Sequence, residues 1–117
     1  GGNPLATAAA LAVLQEIDRK GLLKNAASVG DFITRKLEHA KKKCPQISDI
    51  RGKGLLIGIE FSEPIAVSVK QQLFEKGYLV GSIGDRVIRL APPLIISRRD
   101  AMSFISALID VLTKKNG

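Results

Sequence analysis

In the stretch VIRLAPPLII, residues 87–96, Arg89 is a single charge inside an otherwise apolar run. A guanidinium cannot give up its proton to escape burial, so it needs an anion or water. On a strand Arg89 shares a face with Val87, while Ile88 and Leu90 point the other way. Three roles fit that position: a solvent-facing residue on an edge strand, a partner for an acid such as Glu60, or a fork that grips a substrate carboxylate through two hydrogen bonds. Spacing alone does not choose among them. A second candidate is RGKGLLIGIEF, residues 51–61. Gly52, Gly54 and Gly58 let backbone or ligand approach closely, and Arg51 and Lys53 add cations. Turn geometry accounts for Gly52 and Gly54 equally well.

Other reactive side chains are scarce. His39 is the only histidine, between Glu38 and Ala40 on a lysine-rich stretch, and reads as a solvated helix residue. Cys44 is the only cysteine and reads as a helix-end residue, not a nucleophile. With no partner in the chain and no CxxC, a reducing cytosol is the expected compartment. Metal-ligand spacing is absent. The glycines of GGNP, RGKG and GSIGD never form a phosphate-cradling loop between strand and helix. No catalytic, cofactor-binding or metal-binding residue is therefore assigned in this chain.

A length of 117 residues suits one domain, and 45% apolar with 25% charged residues marks a folding sequence. No apolar run approaches the roughly 18 residues of a membrane helix. The opening GGNPLATAAALAVL lacks the basic start of a secretory signal. A net charge of +7 invites a nucleic-acid reading, but its distribution argues against one. Much of the excess sits in RKLEHAKKK, residues 35–43, and at the ends of the last helix, Arg98, Arg99, Lys114 and Lys115. None of the five aromatics alternates with basic residues as a base-stacking platform requires. A solvated basic face is the expectation, with no nucleic acid and no membrane as partner.

The elements that must position these residues follow from periodicity. Asn3-Pro4 opens a helix over about 5–20, where Leu5, Leu11, Ala12, Val13, Leu14 and Ile17 surround the axis and call for neighbours on several sides. A second helix over about 24–43 carries a one-sided stripe of Ala26, Val29, Ile33, Leu37 and Ala40. Lys41, Lys42 and Lys43 fall in its last turn, where the dipole favours cations, and Pro45 ends it. Strands are predicted at 47–53 and 55–61, the latter alternating Ile57, Ile59 and Phe61 against Leu56, Gly58 and Glu60. A short helix over 65–76 stops at Gly77. Residues 78–80 and 86–90 are predicted as a strand pair around the turn GSIGD. Ser97 caps a final helix to about residue 115, with Ala101, Phe104, Ile105, Leu108 and Leu112 as its stripe. The order predicts an α+β fold: a small antiparallel or mixed sheet of about four strands covered by helices.

Taken together, GGNPLATAAALAVLQEI, DIRGKGLLIGIEF and VIRLAPPLIIS resemble, in order, the C-terminal part of the class III aminotransferases, which use pyridoxal phosphate. The resemblance runs over residues 1–117. Within that family the phrases stand nearest the members acting on acetylornithine, with those acting on ornithine and succinylornithine next. It implies a small C-terminal domain whose large cofactor domain lies outside this chain, together with the lysine that binds the cofactor covalently. None of the eleven lysines here matches that motif, so pyridoxal phosphate is not expected on this fragment alone, and the fragment is expected to be inactive. By the same resemblance Arg89 matches the arginine that holds the substrate α-carboxylate. The implied parent is a homodimeric cytoplasmic enzyme of arginine biosynthesis. It would move an amino group between an ω-amino donor and 2-oxoglutarate. The rival without a family is a non-enzymatic basic α+β binding module, which must supply Arg89 with a partner from its own chain.

Overall fold

The computed structural model describes residues 27–53, 56–91 and 97–114. The all-round apolar helix predicted over 5–20, Gly54 and Pro92-Pro93 lie outside these residues. Helix α1 occupies residues 27–43, and Val29, Ile33, Leu37 and Ala40 are buried as the stripe requires. Strands β1 (Ile47–Lys53) and β2 (Leu56–Phe61) follow, then helix α2 (Ala66–Glu75), strands β3 (Gly81–Ile83) and β4 (Val87–Leu90), and helix α3 (Arg98–Thr113).

The strands form one sheet in the order β1-β2-β4-β3, with each pair antiparallel. The fold is thus α+β, with an antiparallel sheet. One sheet face packs on the helices. Ile57, Ile59 and Phe61 of β2 and Ile88 and Leu90 of β4 are almost fully buried, in one cluster with Leu37 of α1, Leu73 of α2 and Phe104 and Leu108 of α3. Tyr78 meets the Phe104 ring edge-on at 5.7 Å, a favoured aromatic geometry. Strand β1 reaches the same core by a different route. Its register shifts between Ile47 and Asp49. Ser48 is the extra residue of a bulge, which resets the alternation so that Ile47 and Ile50 both point inward.

The helix ends use local chemistry visible in the chain. Ser97 caps α3 by accepting a hydrogen bond from the Asp100 N–H at 3.1 Å. Helix α2 stops because Gly77 turns to a φ of +95°, in the region glycine tolerates best. The Tyr78 N–H then donates to the Leu73 carbonyl at 2.8 Å.

One predicted strand is displaced. Residues 78–80 are not a strand; β3 covers 81–83, inside the stretch read as a turn. The reversal occupies residues 84–86, where Gly84 adopts a φ of +60°, so only one of the two glycines in GSIGD serves the turn. Residues 78–80 are instead used in returning from α2. The turn is tied to its surroundings: the Ala66 N–H donates to the Asp85 carbonyl at 2.8 Å and the Phe61 N–H to the Arg86 carbonyl at 2.7 Å. Arg86 also donates to the Ser62 carbonyl. These bonds fix the β3–β4 hairpin, and with it Arg89, against the end of β2.

Candidate functional site

The second face of the sheet is not covered by the described helices, and it carries most of the singled-out residues. Antiparallel register lines up Arg51 of β1, Gly58 of β2, Arg89 of β4 and Gly81 of β3 in one row across the strands. The next row holds Asp49, Glu60, Val87 and Ile83. Neighbouring strands lie about 4.8 Å apart. Arg89 therefore stands between two glycines, with bare backbone on either side of its stem.

The charges on this face sort themselves. Arg51 donates from Nε to Asp49 Oδ2 at 2.7 Å and from Nη2 to Glu60 Oε1 at 3.1 Å. The Arg51 guanidinium beside Asp49, helped by the Ile50 N–H at 2.9 Å, holds the Asp49 carboxyl below the usual aspartate range. The two acids in turn push the Arg51 guanidinium further up. Glu60, the in-chain partner considered for Arg89, is thus engaged by Arg51. Among the described residues Arg89 makes no ion pair, and its side chain is exposed. A guanidinium on a rigid strand, without an ion pair among the described residues, is pre-organised to take a planar anion through two parallel N–H donors.

Beside it, Arg51, Gly58, Glu60 and Val87 line a small well of about 50 Å³. A larger apolar groove of about 490 Å³ lies between α2 and β3, lined by residues including Val67, Phe74, Leu79 and Ser82. Ser82 pairs with Ile88, whose side chain is in the core, so this groove opens on the helix side of the sheet, away from Arg89.

The other candidates fall elsewhere. His39 is exposed on α1. Cys44 is fully buried and unpaired, and burial pushes its thiol up against a weaker pull from Lys43. A thiol in that state is inert. Among the described residues no group of histidine, cysteine and acidic side chains could hold a metal ion, and no helix is long and apolar enough to cross a membrane. Gly52 is a packing glycine: a Cβ there would sit 3.0 Å from Ile57 Cγ1. The backbone of Lys53 continues this face beside Leu56. On the open face the well of about 50 Å³ is too small for pyridoxal phosphate, whose binding needs a cleft of roughly 300–1,000 Å³, and the groove of about 490 Å³ lies on the other face, away from Arg89.

Two neighbours of Arg89 are set by strand register alone. Gly81 was placed in a turn, although β-pairing sets it beside Arg89. Gly58 was noted for close approach, but only register shows that it separates two arginines.

Comparison with known proteins gives a consistent result. The family profile described as Aminotransferase class-III matches residues 1–112. An acetylornithine aminotransferase from Mycobacterium leprae is 43% identical over 112 residues, which is 96% of this chain and 27% of that protein. The acetylornithine aminotransferase of Caldanaerobacter subterraneus subsp. tengcongensis is 38% identical over 114 residues, 97% of this chain and 29% of that protein. Among solved structures, acetylornithine aminotransferase from Elizabethkingia anophelis superposes with a TM-score of 0.80 at 30% identity, covering 98% of this chain and 30% of that one. A phospholyase from Arthrobacter, in complex with phosphoethanolamine, gives a TM-score of 0.79 at 29% identity, covering 97% of this chain and 29% of that one. The chain therefore spans less than a third of the relatives it matches.

Proposed function

The chain belongs to the class III aminotransferases, and from that premise we propose that it is the small C-terminal domain of an acetylornithine aminotransferase of arginine biosynthesis. Members of the class use pyridoxal phosphate as their cofactor. In this reading the cofactor and the lysine that binds it sit in a larger domain, in a cytoplasmic homodimer, and the 117 residues alone catalyse nothing.

The task of this domain is to receive and orient the substrate. Arg89 binds the α-carboxylate through two charge-assisted hydrogen bonds, each worth about 1.5–3 kcal/mol. Strand β4, tied to β2 and β3, holds the fork in place, so little ordering is left to do when the acid arrives. The observation that carries the reading is Arg89, without an ion pair among the described residues and on a sheet face that the described helices leave open, with Glu60 engaged by Arg51. A basic module without an enzymatic parent needs an in-chain partner for Arg89, and the described residues supply none.

The choice of acetylornithine rests on the names of the similar proteins. The test is a donor panel on the intact polypeptide, with acetylornithine, ornithine and succinylornithine each paired with 2-oxoglutarate. The highest kcat/KM is expected with acetylornithine. A tenfold preference for ornithine or succinylornithine moves the assignment to that branch of the family, and no amino transfer to 2-oxoglutarate from any donor overturns it.

A further inference from the structure

Among the described residues nothing in the packing requires glycine at position 58. Its φ lies outside the left-handed region, where the described glycines are Gly77 and Gly84. A Cβ built on it would meet its nearest neighbours, the Arg51 carbonyl oxygen and Val87 Cγ1, at 3.9 Å, an ordinary contact distance. Glycine in the interior of a strand weakens it by giving up packing and adding chain entropy. The contrast with Gly52, where a Cβ would collide with Ile57, is direct.

What a side chain at Gly58 would remove is space. Gly58 lines the well together with Arg51, Glu60 and Val87; Arg89 does not line the well but stands next to it, opposite Gly58 in the β2–β4 register. About 50 Å³ is room for roughly three to five water-sized groups, since each needs about 10–15 Å³. That is the size of a carboxylate with the carbon bearing it.

We infer that Gly58 is a specificity-determining residue: its missing side chain opens the lane by which the carboxylate end of the amino-acid or oxo-acid substrate settles against Arg89. The inference rests on the proposed role of Arg89 and adds to it the direction of approach. The bound acid lies over β2, on the Arg51 side of the fork, and not over the free edge at β3. Arg51 is held on the far wall by Asp49 and Glu60 and bounds the lane.

The experiment uses the intact aminotransferase with four single variants: Gly58→Ala, Gly58→Val, Gly81→Ala and Arg89→Ala. KM and kcat for acetylornithine and for 2-oxoglutarate are measured alongside Tm. One added carbon in a binding pocket changes discrimination by roughly 10–200-fold. Gly58→Ala is therefore expected to raise KM about tenfold, and Gly58→Val about a hundredfold, with kcat less affected and Tm held. Gly81→Ala, on the other side of Arg89, is expected to stay within about twofold of wild type, because its Cβ only meets the Arg89 stem at 3.7 Å.

Unchanged KM in Gly58→Ala overturns the inference, as does an equal rise in Gly81→Ala, or a loss of Tm in Gly58→Ala large enough to make this glycine structural. If Gly58→Val fails to fold, the alanine variant alone decides. If the Gly58 variants are silent while Arg89→Ala is impaired, the lane is wrong and the carboxylate fork survives. If Arg89→Ala itself has wild-type kinetics, the reading beneath the inference falls with it.

Discussion

On the helix-covered face of the sheet, Ile57, Ile59, Phe61, Ile88 and Leu90 are nearly sealed from water. On the other face the same two strands, β2 and β4, present Leu56, Gly58, Glu60, Val87 and Arg89, of which Leu56 and Arg89 are exposed. The two sets alternate residue by residue, so one backbone serves both. The residues that β2 and β4 place on the covered face are all apolar, as a face packed on helices requires. The open face mixes charges, glycines and exposed aliphatics, a composition that folding does not require. Alternation separates the two requirements: a change at Ile88 is felt by the core, while a change at Arg89, one residue on, need not be.

That separation can be broken by measurement, and among stability effects the largest should arise in the core. Phe104→Ala removes a fully buried ring that packs edge-on against Tyr78. A loss of about 3–5 kcal/mol is expected in urea unfolding of the intact protein. Ile59→Val deletes one methylene from a fully buried position on the covered face, and about 0.5–1.5 kcal/mol is expected from the same assay. If Ile59→Val instead alters substrate KM with stability unchanged, the division between the faces is wrong.

The smallest effect belongs to the open-face ion pairs. Asp49 and Arg51 are solvent-exposed, and such pairs add little to stability. The sign is nevertheless fixed. Arg51 lowers the Asp49 carboxyl below its unfolded value, so the contribution is present above the unfolded pKa and is lost as pH falls through the lower folded one. Stability measured between pH 5 and pH 2 should therefore fall slightly less in Asp49→Asn than in wild type. A steeper acid loss in the variant would show that Asp49 is not stabilised by its partner.

Much of the covered face is legible in the sequence because it obeys simple periods. The three-and-four spacing of Val29, Ile33, Leu37 and Ala40 gives α1, and the alternation from Ile57 to Phe61 gives β2. Alternation also puts Arg89 with Val87 on the face opposite Ile88 and Leu90. The open face is harder to read, because its geometry depends on which strand lies beside which. Nothing in ISDIRGK announces that Ser48 is a bulge, since Ile47 and Ile50, three apart, break strand alternation until the chain slips by one residue. GSIGD contains two glycines, and turn propensity does not say which one reverses the chain. Reading all of GSIGD as the turn displaces β3 by three residues and hides the place of Gly81 beside Arg89. The commitment of Glu60 to Arg51 is likewise a matter of register, as the two residues lie nine apart in the chain and meet across the β1–β2 pair. Class III membership was legible from three ordered phrases, whose two arginines, Arg51 and Arg89, lie on the open face with Gly58.

The central claim is that Arg89, without an ion pair among the described residues, serves to bind a substrate carboxylate. It is tested most directly by measuring Tm and kcat/KM on a single preparation of Arg89→Ala in the intact enzyme. Loss of two charge-assisted hydrogen bonds should lower kcat/KM for the amino donor by roughly two to four orders of magnitude. Tm should remain near that of wild type, because the exposed guanidinium supports no core contact. The opposite pattern, a lowered Tm with kcat/KM per folded molecule unchanged, would make Arg89 a structural residue and contradict the account.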